Sequence, residues 1–177
     1  MKVIHPPIPN VDWSGFQVFL AGSIEMGAAP NWQQDIINSL SDLPDDLVLM
    51  NPRRKDWDST WKQSIEDVNF HEQVKWELSH LESANLAAFY FDPETKAPIT
   101  LMELGLTVGQ DEVPAVVCCP KGYWRRGNIE VICDRHDIPL VDNLQALSLY
   151  IRREYIEDCE GWKTLIKDIQ EDVRNGV

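Results

Sequence analysis

The side chains whose types and spacing could do chemistry gather in one stretch, Phe91-Asp92-Pro93-Glu94 through Ile99-Thr100-Leu101-Met102-Glu103-Leu104-Gly105. Asp92 closes an apolar, aromatic run, and Glu103 stands in the first turn of a helix that starts near Thr100. Both carboxylates are therefore expected at one edge of a sheet. Carboxylates so placed can attack a carbon, stabilise developing positive charge or move a proton. The same residues have a structural reading: Thr100 and Glu103 satisfy a Ser/Thr-x-x-Glu capping box, and Asp92-Pro93 opens a turn. Spacing alone favours the cap at Glu103 and does not choose at Asp92.

Other groups belong to the same inventory. Between Phe70 and Leu81 two stripes run at helical spacing, the apolar Phe70, Val74, Leu78 and Leu81 beside Gln73, Trp76, Glu77 and His80. One stripe can pack while the other faces a cleft. Arg53 and Arg54 follow a strand end at Asn51-Pro52, where two guanidiniums could hold a phosphate or pair on the surface with Asp56, Asp58 or Glu66. Gly22-Ser23, after the first strand, could offer backbone N–H groups to sugar or phosphate. Asn128, in Arg125-Arg126-Gly127-Asn128, reads as a helix N-cap.

Positioning these groups requires alternating strands and helices. Short β-branched or aromatic runs predict five strands, over residues 16–21, 47–50, 85–91, 115–119 and 139–141. Helical patterns lie between them, over 32–40, 70–81, from 100, over 128–135 and from 144. A loop through Gly22, Ser23, Gly27 and Pro30 leads to the first helix, where Ile36, Ile37 and Leu40 point inward. The expected fold is α/β: a flavodoxin-like, doubly wound, five-stranded parallel sheet with helices on both faces, in one domain spanning residues 1–177. Ligands in such sheets sit outside the carboxyl ends of the strands, which selects the loops starting at Gly22, Asn51, Asp92 and Pro120. Residues 53–69 set Trp57, Trp61 and Ile65 among polar residues with little pattern, an excursion suited to a lid. In the tail, Trp162, Leu165, Ile166, Ile169 and Val173 form an amphipathic face that must meet the body or another subunit.

A net charge of -13 on 177 residues disfavours a nucleic-acid polymer as partner, while neutral nucleosides and bases would be indifferent to it. No apolar stretch approaches a membrane span, and four cysteines without a CxxC read as thiols in a reducing compartment, so a cytoplasmic protein is expected. Walker A, GxGxxG, HExxH and GxSxG motifs are absent. Cys133 and His136 stand three apart without a second ligand pair, so neither a metal nor a redox cofactor is expected.

Three pieces in order, Val18-Phe19-Leu20-Ala21-Gly22-Ser23-Ile24, the aromatic-ended strand before Asp92, and Met102-Glu103-Leu104-Gly105, resemble the nucleoside 2-deoxyribosyltransferase family. Asn51-Pro52-Arg53-Arg54 and Trp76-Glu77 resemble its deoxyribosyltransferase-like branch. The resemblance implies 2-deoxyribose transfer between nucleobases, with Glu103 as nucleophile, a covalent deoxyribosyl ester and overall retention. It implies an acid in the loop before the nucleophile; Ala97 and Pro98 stand at that place, leaving Asp92, favoured, or Glu94. It further implies Glu77 as a base-contacting carboxylate, with Gln73 and Trp76 to bond and stack the base, against a solvated Glu77 beside a packed Trp76. Asn128 would reach into a neighbouring subunit and hold the sugar 5'-hydroxyl. The implied partners are small deoxynucleosides, free nucleobases and further copies of the chain in a homo-oligomer with shared active sites. Two alternatives stay open: hydrolysis of a deoxynucleoside 5'-monophosphate, with Arg53 and Arg54 on the phosphate, and a sensing module without turnover.

Overall fold

The computed structural model describes residues 1–8, 14–25, 29–54, 57–58, 60–110 and 112–175, without the side chains of residue 162 and residues 164–175. The chain runs β1 (Lys2–Ile4), β2 (Phe16–Gly22), α1 (Trp32–Ser39), β3 (Leu47–Met50), α2 (Val68–Glu82), β4 (Leu86–Tyr90), α3 (Pro98–Gln110), β5 (Ala115–Cys118), α4 (Arg126–Arg135), β6 (Leu140–Val141) and α5 (Leu144–Asn175). All pairings are parallel, in the order β1-β3-β2-β4-β5-β6. The sheet thus has six strands where the sequence predicts five. The extra strand is β1, three residues ahead of a proline-rich segment, too short to show alternation; it pairs Lys2 with Val48 and Ile4 with Met50. Without β1, the remaining strands, numbered afresh, follow the order 2-1-3-4-5 of flavodoxin-like sheets.

Central strands are apolar throughout because both faces are covered. β3 and β4 are buried at every residue. Alternate residues of β2 feed opposite cores: Phe19 and Ala21 join Trp76, Leu81, Leu104 and Ile129 on the side of α2, α3 and α4. Val18 and Leu20 join Trp32, Ile36, Leu147 and Ile151 on the side of α1 and α5. Gly22 ends β2 where a Cβ would come within 2.5 Å of the Trp32 ring and 2.6 Å of the Tyr90 carbonyl oxygen. Its bareness lets Trp32 lie 5.2 Å from the Tyr90 ring, so α1 can close on the sheet.

The helices begin close to where the sequence places them. Asn31 caps α1 by accepting from the Gln34 N–H, and Asp67 caps α2 by accepting from the Phe70 N–H at 3.1 Å. Ile36 and Leu40 are buried as expected, while Ile37 is only partly so. Inward and outward faces of α2 are exchanged relative to the apolar pattern: Gln73, Trp76, His80 and Leu81 are buried, whereas Phe70, Val74 and Leu78 are partly exposed. Mutual bonding allows this, since His80 Nδ1 pairs with the Trp76 carbonyl at 2.7 Å and the Trp76 indole donates to the Ile8 carbonyl at 2.6 Å. The amphipathic face expected at Trp162, Leu165, Ile166, Ile169 and Val173, like Gly27 and Asp56, lies outside the described residues and side chains.

Candidate active site

The sheet brings the ends of β2, β3 and β4 side by side, so the segments after Gly22, Met50 and Tyr90 meet at one edge. α3 starts at Pro98, a residue suited to the first helical position, directly after Ala97 at φ 43°. Glu103 is therefore the sixth residue of α3, not part of its cap, and Thr100 is buried in the third. The capping-box reading of this pair does not match the helix start. Glu103 is 8 % exposed and none of the described residues donates a hydrogen bond to its carboxylate.

A second carboxylate, Glu77 on α2, lies near enough for its charge to act on Glu103. Burial, with the like charge of Glu77 second, pushes the Glu103 carboxyl up to about 8. Burial likewise pushes Glu77 up to about 7, against the lowering effect of the Gln73 N–H. Glu77 thus gives up its proton first, and Glu103 ionises against that new charge. A pair of interacting carboxyls titrating near neutrality can hold one nucleophile and one proton at once.

Gln73 closes one side of the pair. Its Nε2 donates to the Pro52 carbonyl at 3.1 Å and to Glu77 Oε1 at 2.8 Å, and Arg54 Nη1 donates to its Oε1 at 3.5 Å. The Arg54 guanidinium also lies 5.0 Å from the Trp61 ring centre, and Trp61 meets Trp57 edge-on at 5.1 Å. The described part of the 53–69 excursion therefore folds against the N-terminal end of α2, beside the carboxyls.

The other sequence-selected residues occupy distinct positions. Asp92 is buried and held in a turn: Oδ1 accepts from the Glu94 N–H at 2.8 Å and Oδ2 from the Tyr90 hydroxyl at 3.2 Å. The Asp-Pro turn reading is thus realised in full. Ser23 is consumed internally, its N–H donating to the Tyr90 carbonyl and its Oγ accepting from the Asp92 N–H at 3.0 Å. Asn51 is buried and accepts from the Arg53 N–H. Arg53 turns away from Arg54, donating to Gln33 Oε1 and to the carbonyls of Ala29 and Pro30, so the two guanidiniums are bound to different elements. Trp76 is 6 % exposed, with a ring stacked on His80 at 3.9 Å and packed near Phe19, which leaves no free face for a base. Asn128 is exposed within the first turn of α4 and does not cap it; position 125 precedes the helix without a side-chain bond.

One residue at this edge escaped sequence reasoning. Glu25, from the segment after β2, accepts from the backbone N–H groups of Lys96 and Ala97 at 3.2 and 2.8 Å, so a carboxylate stands beside Ala97 although the loop itself carries none there. A contact across 72 positions leaves no local signal. No cluster of His, Cys, Asp or Glu able to hold a metal occurs among the described residues.

The profile of the family described as nucleoside 2-deoxyribosyltransferase like matches residues 15–123, well over half of the chain and every element that builds this site. The chain belongs to that family. No curated protein matches it. Among solved structures, a conserved protein from Enterococcus faecalis V583 is similar, with a TM-score of 0.57 and 11% identity, covering 79% of this chain and 99% of that one. That likeness concerns the fold. For a nucleoside 2-deoxyribosyltransferase-like protein, the pair of a buried Glu103 and a half-buried Glu77 is the feature that distinguishes this candidate site from ordinary packing. No helix among the described residues is long and apolar enough to cross a membrane.

Proposed function

We propose that the protein transfers 2-deoxyribose between nucleobases, with Glu103 as nucleophile and Glu77 as the carboxyl that hands a proton to the departing base. The observation that carries this reading is the buried Glu103 carboxyl, to which no described residue donates a hydrogen bond, within reach of the charge of Glu77. Glu103 in its ionised form attacks C1', the C1'–N bond breaks, and its electron pair goes to the base, which takes the Glu77 proton. A second base attacks C1' of the resulting ester from the other face, releasing the carboxylate and returning the proton, with net retention. The absent 2'-hydroxyl makes the oxocarbenium-like transition state easier to reach, and a dry carboxylate beside C1' stabilises it further.

Glu77 replaces Asp92 as the favoured donor because both Asp92 oxygens are already bonded, whereas Glu77 titrates near neutrality. Asp92, Ser23 and Gly22 then shape the loop ahead of α3. Asn128, exposed on α4, is free to approach a second copy and hold the sugar 5'-hydroxyl there, which would make a homo-oligomer with shared sites the active form.

A 5'-monophosphate hydrolase would use the same pair with water as acceptor. Arg53 favours it in one respect: its guanidinium is held by the Gln33 side chain and two carbonyls, and no carboxylate among the described residues neutralises it. Incubating the protein with a deoxynucleoside and a different free base separates the readings by chromatography. New nucleoside supports transfer, free deoxyribose or turnover restricted to monophosphates supports hydrolysis, and binding without turnover defeats both in favour of a sensor.

The reactive state needs Glu103 ionised and Glu77 protonated; because Glu77 ionises first, this is the minor tautomer of the singly protonated pair, reached by moving the remaining proton from Glu103 to Glu77. Below about 7 both hold protons and the nucleophile is missing; above about 8 both are ionised and the acid is missing. A bell-shaped kcat/KM profile with its maximum between those values is expected. A flat profile from pH 5 to 9 would contradict the assignment.

A further inference from the structure

Gln73 lies on the inward face of α2 one turn before Glu77 and is 2 % exposed. Its amide can be oriented in only one way. The Pro52 carbonyl accepts and cannot donate, so it requires the NH2 end; the Arg54 guanidinium donates and cannot accept, so it requires the oxygen. With the amide held at both ends, the second N–H is aimed at Glu77 Oε1 at 2.8 Å. Both N–H groups are then used and the side chain is out of solvent, so no donor is left for a nucleobase.

Resting on the reading of Glu77 as the acid, we propose that Gln73 is a positioning residue that decides which Glu77 oxygen carries the transferable proton. Oε1 accepts from Gln73, and the carbonyl oxygen of a carboxylic acid accepts more strongly than its hydroxyl oxygen. The proton of the neutral acid is therefore favoured on Oε2, the oxygen that Gln73 leaves free. In the transfer step this proton leaves Oε2 for the departing base nitrogen, and the carboxylate left behind keeps the Gln73 bond on Oε1. Pro52 and Arg54 act at one remove, by preventing the amide from turning over and offering an acceptor in place of a donor. The charged or titratable groups around Glu77 among the described residues are Glu103 from α3, Arg54 from the segment after β3, and His80 one turn along α2, whose ring is stacked on Trp76.

Gln73→Met keeps the length and removes the amide. Carboxyl carbon NMR on glutamate-labelled protein, with Glu77→Gln to identify the resonance, should show the Glu77 midpoint moving upward by on the order of 1 pH unit, because the N–H that favours the ionised form is gone. Steady-state kinetics should show kcat lower by roughly 10- to 100-fold, the scale of a misdirected catalytic group, with KM altered less than about threefold and the pH maximum displaced to the alkaline side. Arg54→Met frees the oxygen end without touching the core, should move the same midpoint in the same direction by less, and serves if Gln73→Met does not fold. A rise in KM with an unmoved Glu77 midpoint would make Gln73 a base contact and overturn the proposal, as would an unmoved midpoint with unchanged kinetics. The NMR arm reads out even in a protein that turns nothing over: a shifted midpoint without any glycosyl transfer or hydrolysis would sink the assigned reaction while leaving the control of Glu77 by Gln73 standing.

Discussion

The two faces of the sheet are built to different rules. On the side of α1 and α5 the core is Phe16, Val18, Leu20, Trp32, Ile36, Leu40, Leu147 and Ile151, and the polar residues these helices bury, Gln33 and Ser148, are not ionisable. On the side of α2 and α3 the buried set also includes Gln73, His80, Thr100, Glu103 and Thr107, and among the described residues no cation pairs with the Glu77 or the Glu103 carboxyl. Burying ionisable groups without a counter-charge costs stability, so the second layer gives up part of what the first supplies. On the proposed function, chemistry and structural support are thereby separated across one sheet.

The sharpest test of that division is Glu103→Gln, which keeps shape and removes the nucleophile. Turnover should fall by roughly 10³-fold or more while the fold persists, as judged by chromatographic assay and circular dichroism. Full activity in this variant would return Glu103 to the status of an ordinary helical residue. Ile36→Ala probes the opposite face: urea unfolding should show a loss of about 2–5 kcal/mol from the cavity, with kcat and KM unchanged where the protein remains folded. A changed kcat there would mean that the layers are not independent.

A third comparison uses pH alone. The folded chain keeps protons on Glu77 and Glu103 up to about 7 and about 8, whereas an unfolded glutamate releases its own near 4.5. Between those limits the folded state binds more protons, so the free energy of unfolding should decline as pH rises from 5 to 8, by on the order of a few kcal/mol. Glu103→Gln should flatten the decline, and an equally steep slope in that variant would show that the cost arises elsewhere. The smallest effect is expected at Gly105, on the outward side of α3, where an added Cβ meets nothing within 4 Å. Gly105→Ala should raise stability by about 0.5–1 kcal/mol in thermal melts without altering turnover.

Five of the strands and the helix order were legible because buried parallel strands leave uninterrupted apolar runs and helices leave a period. Glu103 was legible as a carboxylate near a strand end, but its helix starts two residues before Thr100, which changes its role from cap to buried acid. The inward face of α2 was not legible. Apolar count points to Phe70 and Val74, and only the bonds from Trp76 to Ile8 and His80 to Trp76 make the polar-tipped stripe the better one to bury. Asp92 was legible as the opener of a turn, its carboxylate partners lying two residues to either side, whereas Glu25 meets Lys96 and Ala97 only where the sheet edge brings them together, which no local pattern encodes. β1 was hidden by its brevity.

That brevity has a use. The sheet is bordered by strands of three and two residues, β1 and β6, which present almost no run of unpaired backbone for another molecule to extend. Association of copies by extending the sheet is thereby disfavoured, and α3 offers another surface without a single exposed charge, displaying Ile99, Met102 and Leu106 to solvent in a chain that is otherwise heavily acidic.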